Sequence, residues 1–305
     1  MSGIVNTGSY PKALWPGVRA WWDSAANSAP QFAPLMYRKE ASTKNYEEYV
    51  QSVGLDLAVV KPEGAPISFD GFQQGFVTRG TNVAYGLGVI TTYEELKDNL
   101  YIKLTKNRVE KLRRAFAETK NINATNVFNR AFNATYIGGD GVSLLNTAHP
   151  NFSGGTWQNK LAVDSALSQA SLEDMLILMM QAKDDRGYIE PLTGDKLVVH
   201  PNNYFNAERI LKTPQQVGTN NNDINPIQVG RLLSGGLVSN PYLTATGPWF
   251  LTTNCQEGLI WQEREALDIW EDNDSDTRNF KVGHTNAIHS SGPILVACMV
   301  AMRLN

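Results

Sequence analysis

The densest cluster of residues able to do chemistry is "YIGGDGVSLLNTAHP" (136–150), with three glycines, an acid, a serine and His149 before Pro150. A phosphate loop needs GxxxxGK[ST], because its lysine meets phosphate charge and its hydroxyl meets magnesium. No lysine follows here, and the segment comes after a helical pattern instead of joining a strand to a helix. His149 has the right side chain for a general base near neutral pH. The nearest hydroxyls, Ser143 and Thr147, lack the GxSxG setting that exposes a nucleophile. Asp140 between glycines suits a tight turn, so the sequence predicts a turn here and a buried or loop histidine with a satisfied ring.

The remaining candidates are weaker. His200, His284 and His289 are scattered, with no HExxH spacing to gather them on a metal. "EREALDIWEDNDSD" (263–276) reads as a solvated acidic turn between strands before it reads as a cation site. Only two cysteines occur, Cys255 and Cys298, with no CxxC pair, which disfavours structural zinc and fits a reducing compartment. Cys298, within "PILVACMVAM", is read as core packing. No catalytic, cofactor-binding or metal-binding residue is expected.

What must position these residues is a chain of 305 residues, 42% hydrophobic and 19% charged, with net charge −3. That composition builds a core and lacks the basic excess of a dedicated nucleic-acid reader. No signal-like segment opens the chain and its longest apolar run is short of a membrane span, so no membrane partner is expected.

Residues 1–35 read as an extended arm broken by prolines, with Trp15, Trp21 and Trp22 as anchors, either on a neighbour or on the parent domain. Residues 44–90 alternate with period two. Val53, Leu55, Leu57 and Val59 form one run and Val83, Tyr85, Leu87 and Val89 another, so a long hairpin with one apolar face is predicted. Such a hairpin is marginal alone and needs a partner surface.

Residues 92–132 carry the strongest pattern. Thr92 and Glu95 form a capping box, and Leu96, Leu100, Leu104, Leu112 and Phe116 recur at multiples of four. One amphipathic helix follows, roughly 60 Å long if it does not bend near "KNINATN". Helices of that length are struts that small enzyme domains seldom need. Its basic run "KLTKNRVEKLRR" suits sequence-independent phosphate attraction, exposed solvation or salt bridges. Beyond it lies a mixed α/β region. It contains a helix capped by Ser171, a strand–Pro201–helix unit in "DKLVVHPNNYFNAERILK", strands at "ALDIWED" and "RNFKVGHT", and a closing apolar strand in "SGPILVACMVAMRLN".

This order of parts resembles the major capsid proteins of tailed bacteriophages with the Hong Kong 97-like fold. Locally, Leu144 to Pro150 after Gly138-Gly139-Asp140-Gly141 is similar to the glycine/aspartate-then-His-Pro stretch of Mu-like head proteins, and "LVVHPNNYFNAERIL" to their strand-to-helix segment. The resemblance implies an α+β fold in five parts. These are an N-terminal arm (1–35), an extended β-hairpin loop (36–91), the spine helix of a peripheral domain (92–135), an axial α/β domain (136–288) and a closing strand of the peripheral domain (289–305). It implies hexamers and pentamers of an icosahedral shell around double-stranded DNA in a virion assembled in the host cytoplasm.

The partners so implied are further copies of the chain, a portal, a separate scaffolding protein (no coiled-coil-like leader is present), a decoration protein and non-specifically held DNA. Lys61 near the hairpin tip is a conceivable crosslink donor, but no acceptor is evident and crosslinking is not expected. Trp15, Trp21 and Trp22 in the arm and Phe69, Phe72 and Phe76 in the hairpin are the expected contacts between subunits. Two other classes compete: a bacterial nanocompartment shell protein, which shares the fold and encloses enzymes, and a soluble hydrolase using His149 or His200 with an acid.

Overall fold

The computed structural model of the chain describes residues 15–24, 31–71, 73–92, 94, 101–216, 223–255, 258–265, 267–273, 280–290 and 299–302. The helices in chain order are α1 (Trp15–Ser24), α2 (Ala33–Met36), α3 (Tyr101–Asn129), α4 (Gln169–Met180), α5 (Tyr204–Lys212) and α6 (Pro226–Val229). The first strands are β1 (Arg38–Ala41), β2 (Tyr46–Val53), β3 (Gln73–Thr81), β4 (Val83–Thr91), β5 (His149–Pro150) and β6 (Thr156–Trp157). After them come β7 (Gly194–Val199), β8 (Gly236–Ser239), β9 (Trp249–Thr253), β10 (Ile260–Glu263), β11 (Asp268–Asn273), β12 (Phe280–Ser290) and β13 (Met299–Met302).

The predicted strut is α3, about 43 Å long at 1.5 Å per residue. Val109, Leu112, Phe116, Ala124 and Phe128 form its buried stripe. Glu95, Leu96 and Leu100 lie outside the described residues. The helix runs unbroken through "KNINATN", the segment where it could have broken or bent. Thr125 Oγ1 donates to the Asn121 carbonyl at 2.9 Å, and the Asn121 side chain accepts from the Phe32 amide at 3.0 Å. Residues that weaken an isolated helix are tolerated here because their polar atoms have buried partners.

One sheet runs β1-β10-β12-β11, with β4 also paired to β12 from Thr91↔Phe280 to Val83↔Ile288. Val18 and Trp22 of α1 pack with Val109, Leu112 and Phe116 of α3 and Ile269 of β11 into one core. The second sheet runs β13-β9-β7-β8. Its faces are both covered: Val198, Val238 and Phe250 meet the far half of α3, while Leu197, Val199, Trp249 and Leu251 meet α4, α5 and α6. A strand covered on both faces has no use for alternation, which is why "KLVV" and "WFL" read as continuous apolar runs.

Four expectations differ here. A boundary at 288 cuts β12, which pairs β4 and so joins the hairpin region to the later chain. The closing strand β13 pairs β9 in the doubly covered sheet, not the sheet containing β4. The N-cap of α4 is Ser168, with Ser171 as its reciprocal capping-box partner. Cys255 is in a disulfide, against the reduced thiol expected; Cys298 lies outside the described residues.

The second sheet is tied to α3 by Asn240, which is fully buried. Its Nδ2 donates to Thr125 Oγ1 at 2.9 Å and its Oδ1 accepts from the Tyr242 amide at 3.0 Å. Replacing it by alanine leaves the Tyr242 amide without its acceptor and takes from Thr125 Oγ1 its second partner, which is expected to cost about 1–3 kcal/mol. Urea unfolding measures this, and a change under about 0.5 kcal/mol contradicts the assignment.

Candidate functional site

The glycine segment folds as the turn the sequence predicts. The Gly138 amide donates to the Val142 carbonyl at 2.8 Å, and Gly141 has φ 81°, a conformation that suits a residue without Cβ. Asp140 Oδ1 accepts from the Val142 amide at 3.1 Å, while Oδ2 lies 2.6 Å from His149 Nδ1. The His149 ring stacks on Trp157 with centroids 4.5 Å apart. Gly139 lies against β3, where a Cβ would sit 2.8 Å from the Val77 carbonyl oxygen.

This acid–histidine pair is built for structure. The His149 side chain is 0% exposed and that of Asp140 2%. No group bonds His149 Nε2 among the described residues, and Ser143 Oγ donates to the Leu145 carbonyl. A general base needs a nucleophile within reach and an open face; this one has neither. His200 caps the turn Pro201–Asn203, its Nδ1 accepting from the Asn202 amide at 3.2 Å. His284 and His289 lie along β12. Among the described residues no three His, Cys, Asp or Glu gather to hold a metal, and no helix is long and apolar enough to cross a membrane.

A cleft of about 610 Å³ is lined in part by Gln51, Asp140, Asp184, Asp185 and Glu190. Burial pushes the Asp185 carboxyl up, and Gln51 Nε2 donates to it at 2.6 Å. Of its acids only Asp140 meets a histidine, the buried His149. The basic face of α3 is largely self-paired: Lys106 with Glu110, Arg114 with Glu118, and Arg113 with Asp23 while stacked over Trp22.

The surface that does stand out is apolar. The ladder between β2 and β3 ends at Val53↔Gln73, and the chain between them carries Leu55, Leu57, Val59, Val60, Ile67 and Phe69 into solvent. Val60 is 93% exposed and Phe69 88%. The run 53–59 therefore is not a strand beyond Val53: its alternation has no partner strand among the described residues. At the base the loop is clasped. Arg186 donates through Nε to the Gly54 carbonyl and through Nη1 to Asp56 Oδ1, both at 3.0 Å, and its Nη2 lies 3.5 Å from Asp70 Oδ2. The Asp56 amide donates to Asp70 Oδ2 at 2.9 Å, and the Leu57 amide to Tyr188 Oη at 3.2 Å.

The amides of Asp56 and Gly71, then the Arg186 charge, hold the Asp70 carboxyl below its ordinary value of 3.8. A depressed folded value means the clasp contributes fully above 3.8 and loses its contribution as pH falls through the lowered value. Amide exchange at Asp56, corrected for its intrinsic rate, is expected to accelerate in that acid window. Equal protection on both sides of it contradicts the clasp.

The expected contact residues separate. Trp22 is 3% exposed in the core beside α3, where it serves its own subunit, and the half-buried Trp21 packs at that core's edge; Trp15 begins α1. Phe76 meets Phe152 edge-on at 6.1 Å, Phe69 stands free in solvent, and Phe72 lies outside the described residues. Sequence reasoning missed Arg186 and Tyr188; the signal was the turn composition of "KDDRGY" (183–188) after α4.

A long helix laid across a mixed sheet, an extended hairpin and a second sheet between helices define the α+β capsid fold of the Hong Kong 97 type, and solved structures share it. The capsid of cyanophage P-SCSP1u matches with TM-score 0.56 at 13% identity, covering 90% of this chain and 87% of that one. The virus-like particle from Pyrococcus furiosus matches at 0.51 and 10% identity, over 94% and 98%. The capsid of bacteriophage JBD30 decorated with minor capsid protein trimers matches at 0.52 and 13%, over 71% and 92%. No curated protein matches the chain. Residues 77–288 match the phage capsid protein family, and the chain belongs to it. It is a phage capsid protein, a structural component of the virion shell.

Proposed function

We propose that this subunit interlocks with its neighbours through the loop between β2 and β3, forming the hexamers and pentamers of the icosahedral shell around double-stranded DNA. The observation that carries the reading is the apolar loop, whose Val60 and Phe69 find no cover among the described residues. Burying six such side chains on a neighbour is worth about 1.5–3 kcal/mol each before ordering costs. Repeated around a closed ring, contacts of one patch on a different patch accumulate into a stable shell.

The sheet containing β4 and β12, with α3, serves in this reading as the peripheral domain, and the sheet β13-β9-β7-β8 with α4 and α5 as the axial domain. Phe69, Phe72 and Phe76 remain the hairpin's contacts, and the arm's contact rests on Trp15 and the residues before it. A separate scaffolding protein, a portal, a decoration protein like that on the JBD30 capsid, assembly in the host cytoplasm and non-specific DNA contact complete the reading. The test is negative-stain microscopy of the purified protein. Shells or capsomers of six and five subunits support it; a permanent monomer overturns it. Particles filled with an enzyme and free of DNA would return the nanocompartment alternative, which family membership disfavours.

A further inference from the structure

The loop's direction is fixed by a turn distant in sequence. Residues 182–190 fold into a tight hairpin: Lys183 bridges Ile189, the Asp184 amide donates to the Tyr188 carbonyl at 2.9 Å, and Gly187 takes φ 86°. Asp184 Oδ1 accepts from the amides of both Arg186 and Tyr188, at 2.9 and 2.8 Å, which holds their side chains on one side. The Glu190 amide donates to the Ala182 carbonyl at 2.8 Å, anchoring the turn just beyond the end of α4.

We propose that Arg186 is a positioning residue for the contact between subunits: it gathers both limbs of the apolar loop onto this rigid turn and so sets the angle at which the tip leaves the subunit. This deepens the interlocking role of the loop and rests on it. Gly54 and Asp56 lie on the outgoing limb and Asp70 on the returning one, and a single guanidinium reaches all three. Isolated surface ion pairs contribute little. This one differs in being a planar fork shared among three acceptors, with the Arg186 side chain only 18% exposed and the Asp56 amide closing the circuit on Asp70. Gln51 to Asp185 and Leu57 to Tyr188 flank it as a second and third tie.

With the clasp closed, residues 57–69 alone swing free. Opened, the free segment extends back to the end of the ladder at Val53 and Gln73. A longer tether samples more directions, so fewer encounters with a neighbour present the apolar tip correctly. The ties touch no residue of the three buried clusters. Their loss therefore acts on presentation and leaves the body of the subunit intact.

The test uses the full chain carrying Arg186→Ala, Arg186→Lys or Asp70→Asn. Amide exchange over 54–71 in the unassembled subunit, melting temperature and closed-shell yield are measured together. Arg186→Ala is expected to accelerate exchange at Asp56 and Leu57 about tenfold, lower shell yield several-fold and leave the melting temperature unchanged. Arg186→Lys, which keeps charge but loses the fork, falls between, and Asp70→Asn follows Arg186→Ala. Unchanged exchange overturns the clasp. Accelerated exchange with undiminished or increased shell yield overturns the positioning role. A wild-type chain that never forms shells would overturn the loop's interlocking role instead, and the exchange result would still decide the clasp.

Discussion

Replacing residues 57–69 by a short glycine-containing turn is expected to leave a folded subunit that closes essentially no shells. Leu57, Val59, Val60, Ile67 and Phe69 belong to none of the buried clusters, so their removal creates no cavity. Shortening an unladdered loop even lowers the entropy cost of closing it, by a fraction of a kcal/mol. In the shell the same change removes about 8–15 kcal/mol of apolar burial per contact before ordering costs, which no residual rim contact replaces. Sedimentation velocity separates the outcomes: free subunits or incomplete rings are expected, with melting at or above the wild-type temperature. Normal shells would sink the loop's role outright.

Asp140→Ala is expected to be the most damaging small change in the body of the subunit, costing about 3 kcal/mol. It strands the Val142 amide and the buried His149 Nδ1 together, and it frees the turn that seats Gly139 against the Val77–Thr78 backbone. Asp140→Asn keeps the shape and an acceptor and is expected to cost less than half as much. Urea unfolding of both variants checks this. Near-equal losses below about 1 kcal/mol would show that the pair contributes little. A catalytic dyad would give the opposite pattern, with stability spared.

The sequence carried the elements whose physics is local. The four-residue recurrence from Leu112 to Phe116 and the strand–Pro201–helix unit both stand where periodicity and breakers put them, as do β11 and β12 on either side of their acidic turn. What it could not carry depends on partners far along the chain. Val53 to Val59 alternates like a strand, yet only Val53 finds a strand to pair with. Asn121 and Thr125 look like helix breakers until Phe32 and Asn240 arrive to bond them. Trp22 looks like an anchor for a neighbour because a proline-broken arm has no core of its own, whereas α3 supplies one.

That last placement changes one expectation. Truncating the arm through Ser24 would expose Val109, Leu112 and Phe116 and destabilise the subunit itself, so a failure to assemble would no longer isolate a contact. The candidate site shows the same division. Phe69 was readable as an exposed aromatic, but the arginine that aims it lies more than a hundred residues away and bonds it only through backbone and carboxylates.

The most direct measurement is a cryo-electron microscopy map of the assembled particle, traced through residues 54–72 of one subunit. The account predicts that Val60, Ile67 and Phe69 lie covered by the body of an adjacent subunit, with the Arg186 clasp intact at the base. A closed shell in which those side chains still face solvent would contradict it.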